Sequence, residues 1–278
     1  MKRRSIFLPV VLTLGFVFLY APIISLIVFS FNKSKLVTVW AGFSTHWYGA
    51  LLENTQILQA AWISLRIAAL NATLAVALGT IAGFVLARFR RFHGRTLFTA
   101  MVTAPLVMPE VITGLSLLLL FVAMEALFGW PAGRGFLTIL IAHVTFSMAY
   151  VAVIVQSRLS DMDASIEEAA LDLGARPLQI FFRITLPIIA PALVAGWLLA
   201  FTMSLDDLVI ASFVAGPGSS TLPIVIFSKV RLGVSPEINA LATILVGLVA
   251  VGTIIAGVVM NRQMKNRERD MQMAAADN

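Results

Sequence analysis

The sequence predicts an all-α membrane protein with six transmembrane helices and both termini in the cytoplasm. Three observations lead there: an apolar composition, six long apolar runs, and basic residues gathered between alternate runs. Of the 278 residues, 59% are hydrophobic and only 12% are charged, and the mean hydropathy is +0.94. A soluble domain of that composition lacks the polar residues to cover its surface, whereas a surface facing lipid needs none. There is no cysteine, which excludes disulfides and thiolate metal sites. His46, His93 and His143 are scattered and lack metal-ligand spacing. The net charge of +6 sits in short clusters between apolar runs. That distribution reads as membrane topology, and no nucleic-acid partner is expected.

The runs fall at approximately Ile6–Phe31, Ile57–Ala87, Leu97–Phe121, Phe136–Gln156, Ile188–Val214 and Ile238–Met260. Each is long enough to cross the hydrocarbon as a helix. The first follows Met-Lys-Arg-Arg, like the basic start of a signal peptide. Its apolar run is too long for one and no small-residue cleavage site follows, so an uncleaved span is expected. Orientation follows from lysine and arginine. With the N-terminus inside, fourteen of the 20 lie on the inner side: Lys2, Arg3, Arg4, Arg88, Arg90, Arg91, Arg95, Arg158, Arg176, Arg183, Arg262, Lys265, Arg267 and Arg269. Five lie outside (Lys33, Lys35, Arg134, Lys229 and Arg231), and Arg66 falls within the second span. The long outer connection after the first span carries Trp40, Trp47 and Tyr48, rings suited to a membrane–water interface. With no linker, low-complexity tract or internal repeat, residues 1–278 read as one transmembrane domain.

The inner connection 157–187 is the most polar segment before the C-terminal tail. Asp163 to Leu173 reads as a short helix: Asp163 is a plausible cap, acids fill the first turn, and Gly174 suits a left-handed end. Ile166, Ala169, Ala170 and Leu173 share one face of it. Pro177 starts a second short helix carrying Leu178, Phe181 and Phe182, which Pro187 is expected to stop. One physical reading is a helical hairpin lying on lipid headgroups, although five acids against three bases suit anionic lipid poorly.

A second reading comes from resemblance. Glu168-Ala169-Ala170, three residues, Gly174, nine residues and then Ile184-Thr185-Leu186-Pro187 resembles the EAA loop of ABC-importer permeases. It stands in a cytoplasmic connection before the penultimate span, as it does in that family. Two further stretches resemble the spermidine/putrescine permeases, Ser204-Leu205-Asp206-Asp207 through Val214 and Gly233-Val234-Ser235-Pro236-Glu237 through Thr243. Phe31-Asn32-Lys33-Ser34-Lys35 through Trp47-Tyr48 looks most like the second, putrescine-type subunit. The resemblance implies type I importer architecture in a bacterial inner membrane, and a pore subunit importing polyamines from periplasm to cytoplasm. It implies a coupling role for Glu168, Ala169, Ala170, Gly174, Ile184, Leu186 and Pro187, which meet a separate ATPase. The implied partners are a second homologous permease, two ATPase subunits and a periplasmic polyamine-binding protein. No cofactor is expected on this chain, because ATP and magnesium belong to the ATPase.

Three acids fall within the expected spans, Glu110, Asp206 and Asp207. An ionised carboxylate in hydrocarbon is costly, so such acids face a cavity or a protein partner. At the helical rise, Glu110 lies roughly 20 Å and Asp206 roughly 27 Å from the inner surface. A polycation needs acids along its route, which makes all three candidate pathway residues. The structural alternatives are pairing with Arg66, or headgroup positions for Asp206 and Asp207. Asp207 continues a small stripe of Gly196, Ala200 and Ser204, where a helix or a substrate can approach. Trp197, Phe201 and Tyr150 are candidate cation–π faces, with packing as the plainer role. His143 reads as a satisfied packing residue. Lys229 and Arg231, in the connection after the fifth span, are candidates for docking the binding protein. Gly216-Pro217-Gly218-Ser219-Ser220 lacks the lysine of a phosphate-binding loop and reads as a turn. An autonomous channel or secondary transporter leaves the inner loop without a use, and no inverted repeat supports one. No zinc motif or facing aspartate pair supports an enzyme, so no catalytic or metal site is expected.

Overall fold

Apolar runs in hydrocarbon leave the backbone no polar partner but itself, and the chain answers with helices. The computed structural model describes residues 7–36, 39–89, 91–163, 165–233, 236–252 and 254. The terminal basic residues, Arg90, the start of the first expected span, and the far end of the sixth lie outside them. So do Val234 and Ser235 of the second polyamine-permease-like stretch. Among the described residues there is no strand, only one isolated bridge between Asn32 and Phe43.

In order the helices are α1 (Phe7–Ser30), α2 (His46–Glu53), α3 (Thr55–Arg88), α4 (Arg95–Val107), α5 (Glu110–Phe128), α6 (Phe136–Ser160), α7 (Ser165–Asp172), α8 (Pro177–Ile180), α9 (Leu186–Asp206), α10 (Val209–Val214), α11 (Leu222–Leu232) and α12 (Pro236–Gly252). A π turn, Phe181–Thr185, joins α8 to α9 into one helical stretch. Five stretches, α1, α3, α5, α6 and α8–α9, are long and apolar enough to cross a membrane, and α12 is a shorter apolar helix.

Three expectations need correction. The third expected span, Leu97–Phe121, is two helices, because Met108 is extended (ψ 135°) and α5 begins after Pro109. A residue before proline is driven from helical geometry, and Pro109 has no N–H to continue the ladder. The fifth expected span, Ile188–Val214, also breaks: Asp207 is extended (ψ 122°) and α10 starts afresh. Pro187 does not stop a helix. It occupies the first turn of α9, and the π turn directly upstream accommodates the hydrogen bond it cannot make.

The chain forms two compact units, residues 1–55 with 228–278, and residues 56–227. In the first, α1 is exposed along nearly all its length, and the loop after it folds around one side chain. Fully buried Asn32 accepts from the Ser34 and Ala41 amides and donates to the Leu36 and Val39 carbonyls. Trp47 donates its indole N–H to the Asn32 carbonyl at 2.7 Å. Trp47 is therefore buried in the loop rather than exposed as an interfacial ring, whereas Trp40 is exposed.

The second unit is built around α6. Small residues on α3 let the backbones meet: a Cβ on Gly83 would stand 2.6 Å from the Ala152 carbonyl oxygen, and one on Gly79 2.7 Å from Val151 Cβ. Ala72, Ala75, Val151, Val155, Leu159, Ile189 and Ala200 fill the contact of α3, α6 and α9. Buried Asn71 ties the three together, donating to Ser147 Oγ at 3.1 Å and to the Ala200 carbonyl at 2.9 Å. Because the obstacle at Gly83 is backbone, Gly83→Ala is expected to cost about 1–3 kcal/mol. A clear fall in the thermal midpoint of the purified protein checks this, with Gly15→Ala, a helix glycine that meets open space, as the control that should not lower it.

Candidate functional site

The two helix breaks lie side by side. Gly114 of α5 sits against Ile210 and Phe213 of α10; a Cβ there would stand 3.3 Å from Ile210 Cα and 2.7 Å from a ring carbon of Phe213. Glu110 precedes Gly114 by about one turn of α5, and Asp206 stands four residues before Ile210, on the other side of the break. Each break thus has a carboxylate at its helix end. Glu110 is the first residue of α5 and Asp206 the last of α9, and both are exposed. Glu110 therefore lies at a helix end rather than within a continuous span.

Asp207 is different. Gly196, Ala200 and Ser204 are buried, and the face they share with Asp207 packs on protein. Asp207 Oδ2 accepts from the Ala211 amide at 2.7 Å, Oδ1 from the Ile210 amide at 3.3 Å, and Oδ2 also from His143 Nε2 at 3.1 Å. His143 Nδ1 lies 2.7 Å from Ser204 Oγ. Asp207 caps α10 and closes the break, and adjacent positions on a helix point about 100° apart, so Asp206 faces elsewhere. The order Ser204–His143–Asp207 has the connectivity of a hydrolase triad, but Ser204 is only 5% exposed and Asp207 is occupied by two amides. The network holds the break. His143→Ala leaves Asp207 short of a donor in a nearly dry site, with an expected loss of about 1–3 kcal/mol. A fall in thermal midpoint larger than that of Ser204→Ala is the result to look for.

Arg66 pairs with none of the three acids. Its guanidinium lies over the Phe136 ring, 5.3 Å from the centroid. Trp197 and Phe201 are stacked at 5.2 Å, and Trp197 donates to Thr73 Oγ1 at 3.2 Å. Tyr150 meets Phe146 edge-on and packs against the core. In the first unit, Lys229 Nζ is 3.7 Å from Glu237 Oε2, which also accepts from Asn54. Lys229 is thus an internal ion-pair partner, and Arg231 is exposed at the end of α11.

Residues 165–187 fold as a hairpin. Asp163 Oδ1 accepts from the Ser165 amide at 2.9 Å, a bond that holds its carboxyl below the ordinary range. Gly174 has φ +83°, the Gly174 amide donates to the Leu171 carbonyl, and the Ala175 amide to that of Ala170. This is a Schellman ending, in which a left-handed residue lets two orphan carbonyls be capped. Of the four residues expected on one face, only Ala170 is buried; Ile166, Ala169 and Leu173 are exposed. Leu173 is 88% exposed, and Leu171, Leu178 and Phe182 join it in an apolar outer surface. Glu168 is exposed. Thr185 is buried in the π turn, with Ile184 and Leu186 half-buried beside it and Pro187 exposed. Sequence reading missed Glu167, which turns inward to Arg88 and Thr185.

The chain is similar to proteins already known. Residues 75–269 match the family described as "Binding-protein-dependent transport system inner membrane component". The putrescine transport system permease protein PotI of Escherichia coli (strain K12) is 62% identical, over 98% of this chain and 96% of its own length. The spermidine/putrescine transport system permease protein PotC of the same strain is 41% identical, over 94% and 96%. Among solved structures, a bacterial ABC transporter involved in the import of the acidic polysaccharide alginate superposes with a TM-score of 0.71 at 20% identity, covering 92% of this chain and 95% of that one. At that identity the likeness is one of fold.

Proposed function

Because the chain belongs to the binding-protein-dependent transport system inner membrane component family, we propose that it forms half of the pore of an ATP-driven importer of polyamines, putrescine foremost. The observation that carries the cargo is the pair of exposed carboxylates, Glu110 and Asp206, set at neighbouring helix breaks. Discontinuous helices are where transporters build substrate sites, and fixed negative charge there offsets the lost hydration of an ammonium group. An anionic solute would be repelled by the same groups. The 62% identity to a putrescine permease supports the same cargo.

In this reading the chain spans the bacterial inner membrane with both termini in the cytoplasm, and the 165–187 hairpin faces the cytoplasm. Exposed Ile166, Leu173 and Leu178 form the surface that meets a separate ATPase, which binds ATP and magnesium. Two such ATPases, a homologous second permease and a periplasmic polyamine-binding protein complete the importer. The chain supplies the route and the mechanical link, not the hydrolysis. The test is uptake of labelled putrescine by cells lacking their own polyamine import and expressing the four components. Accumulation is expected, and it should be lost when this chain alone is omitted. Uptake of a neutral or anionic solute without putrescine would overturn the cargo and leave the importer class standing.

A further inference from the structure

Neighbouring glutamates in α7 have opposite settings. Glu168 faces outward, whereas Glu167 turns back toward the membrane helices. Glu167 Oε2 lies 2.9 Å from Arg88 Nε at the end of α3, and Oε1 accepts a 2.7 Å bond from Thr185 Oγ1 in the π turn that opens α9. Arg88 Nη1 in turn donates to the Leu159 carbonyl, 3.2 Å away in the last turn of α6. Beside the bridge, Phe84 of α3 meets Phe181 of the π turn edge-on, with centroids 5.2 Å apart. Ala170 is the buried residue of α7, so one carboxylate fastens this eight-residue helix to the ends of three long ones.

We propose that the Arg88–Glu167–Thr185 bridge carries displacement of α7 into α3, α6 and α9, so that Glu167 and Arg88 are positioning residues for the coupling of ATP hydrolysis to transport. The proposal rests on reading α7 as the segment that docks on the ATPase. An exposed ion pair between two flexible chains transmits little. Here the carboxylate accepts from Thr185 and also pairs with the guanidinium, which in turn donates to a helix-end carbonyl, so the parts move as a unit. The neighbouring ring contact resists compression where the bridge resists extension.

The whole importer in proteoliposomes provides the test, with uptake and ATP hydrolysis measured on the same vesicles. Glu167→Gln and Arg88→Gln are each expected to lower putrescine moved per ATP by about fivefold or more. The double variant should fall no further than the worse single one, because both changes break one link. Transport per ATP within about twofold of the parent in both single variants, or losses that multiply in the double, would overturn the proposal. A clamp that merely holds the fold behaves differently: thermal midpoint and yield fall while transport per ATP is kept, and that outcome also overturns it. Gly174→Val, which deforms α7 itself, separates the premise from the proposal. If it hydrolyses and transports normally, the docking role of α7 fails. If it uncouples while the bridge variants transport normally, the bridge alone fails.

Discussion

Glu110→Gln and Asp206→Asn are each expected to depress putrescine uptake by about tenfold to a hundredfold while leaving basal ATP hydrolysis in place. The size follows from losing a hydrogen bond to a charged group, about 1.5–3 kcal/mol, at a rate of tenfold per 1.4 kcal/mol. Both changes keep shape and hydrogen-bonding capacity and remove only charge. Both residues are exposed at helix ends and form no ion pair and no side-chain hydrogen bond to another residue among the described residues, so neither change should cost much stability. Asp207→Asn is the contrasting variant. Its carboxylate serves the Ile210 and Ala211 amides and His143, so it should lower the thermal midpoint together with uptake. Measuring uptake and thermal midpoint side by side separates the two classes. Full uptake in both Glu110→Gln and Asp206→Asn would remove the cationic route.

Gly174→Val is expected to reduce substrate-stimulated ATP hydrolysis to the basal level and to abolish uptake. At φ +83° a β-branched residue is strained by about 1–2 kcal/mol. No neighbouring atom lies within 4 Å of an added Cβ, so the strain is purely of the backbone. The α7 ending unwinds to relieve it, and exposed Leu173 moves with it. Gly174→Asn is the discriminating partner, because asparagine tolerates the left-handed region. It should retain most of the stimulated hydrolysis. Stimulation in the valine variant equal to the parent would mean that the shape of this ending is irrelevant to coupling.

What could be read from sequence divides along physical lines. The apolar runs and the short helix α7 follow from local composition, capping and a glycine at a left-handed end. The helix breaks do not. Pro22, Pro105 and Pro191 lie inside continuous helices, whereas α5 starts afresh after Pro109. A proline permits a break, and tertiary packing decides whether one forms. Asp206 and Asp207 are the same residue type side by side, and only the small stripe that Asp207 continues sets them apart in the sequence. The stripe left open whether a helix or a substrate meets it, and the structure buries it and satisfies Asp207 with protein donors. A capping signal was present, since Asp207 stands just before α10, but it is visible only once the break is known. The Arg88–Glu167 pair joins residues far apart in the chain, and nothing local marks it.

The importer reading rests on this chain linking hydrolysis elsewhere to movement of a polycation. The most direct test is ATP hydrolysis by the reconstituted complex with its binding protein supplied empty or loaded with putrescine, and uptake followed in the same vesicles. Putrescine-loaded protein should raise hydrolysis well above the empty form and fill the lumen with putrescine only when ATP is present. Hydrolysis indifferent to the loaded protein, or putrescine entry that persists without ATP, would contradict it.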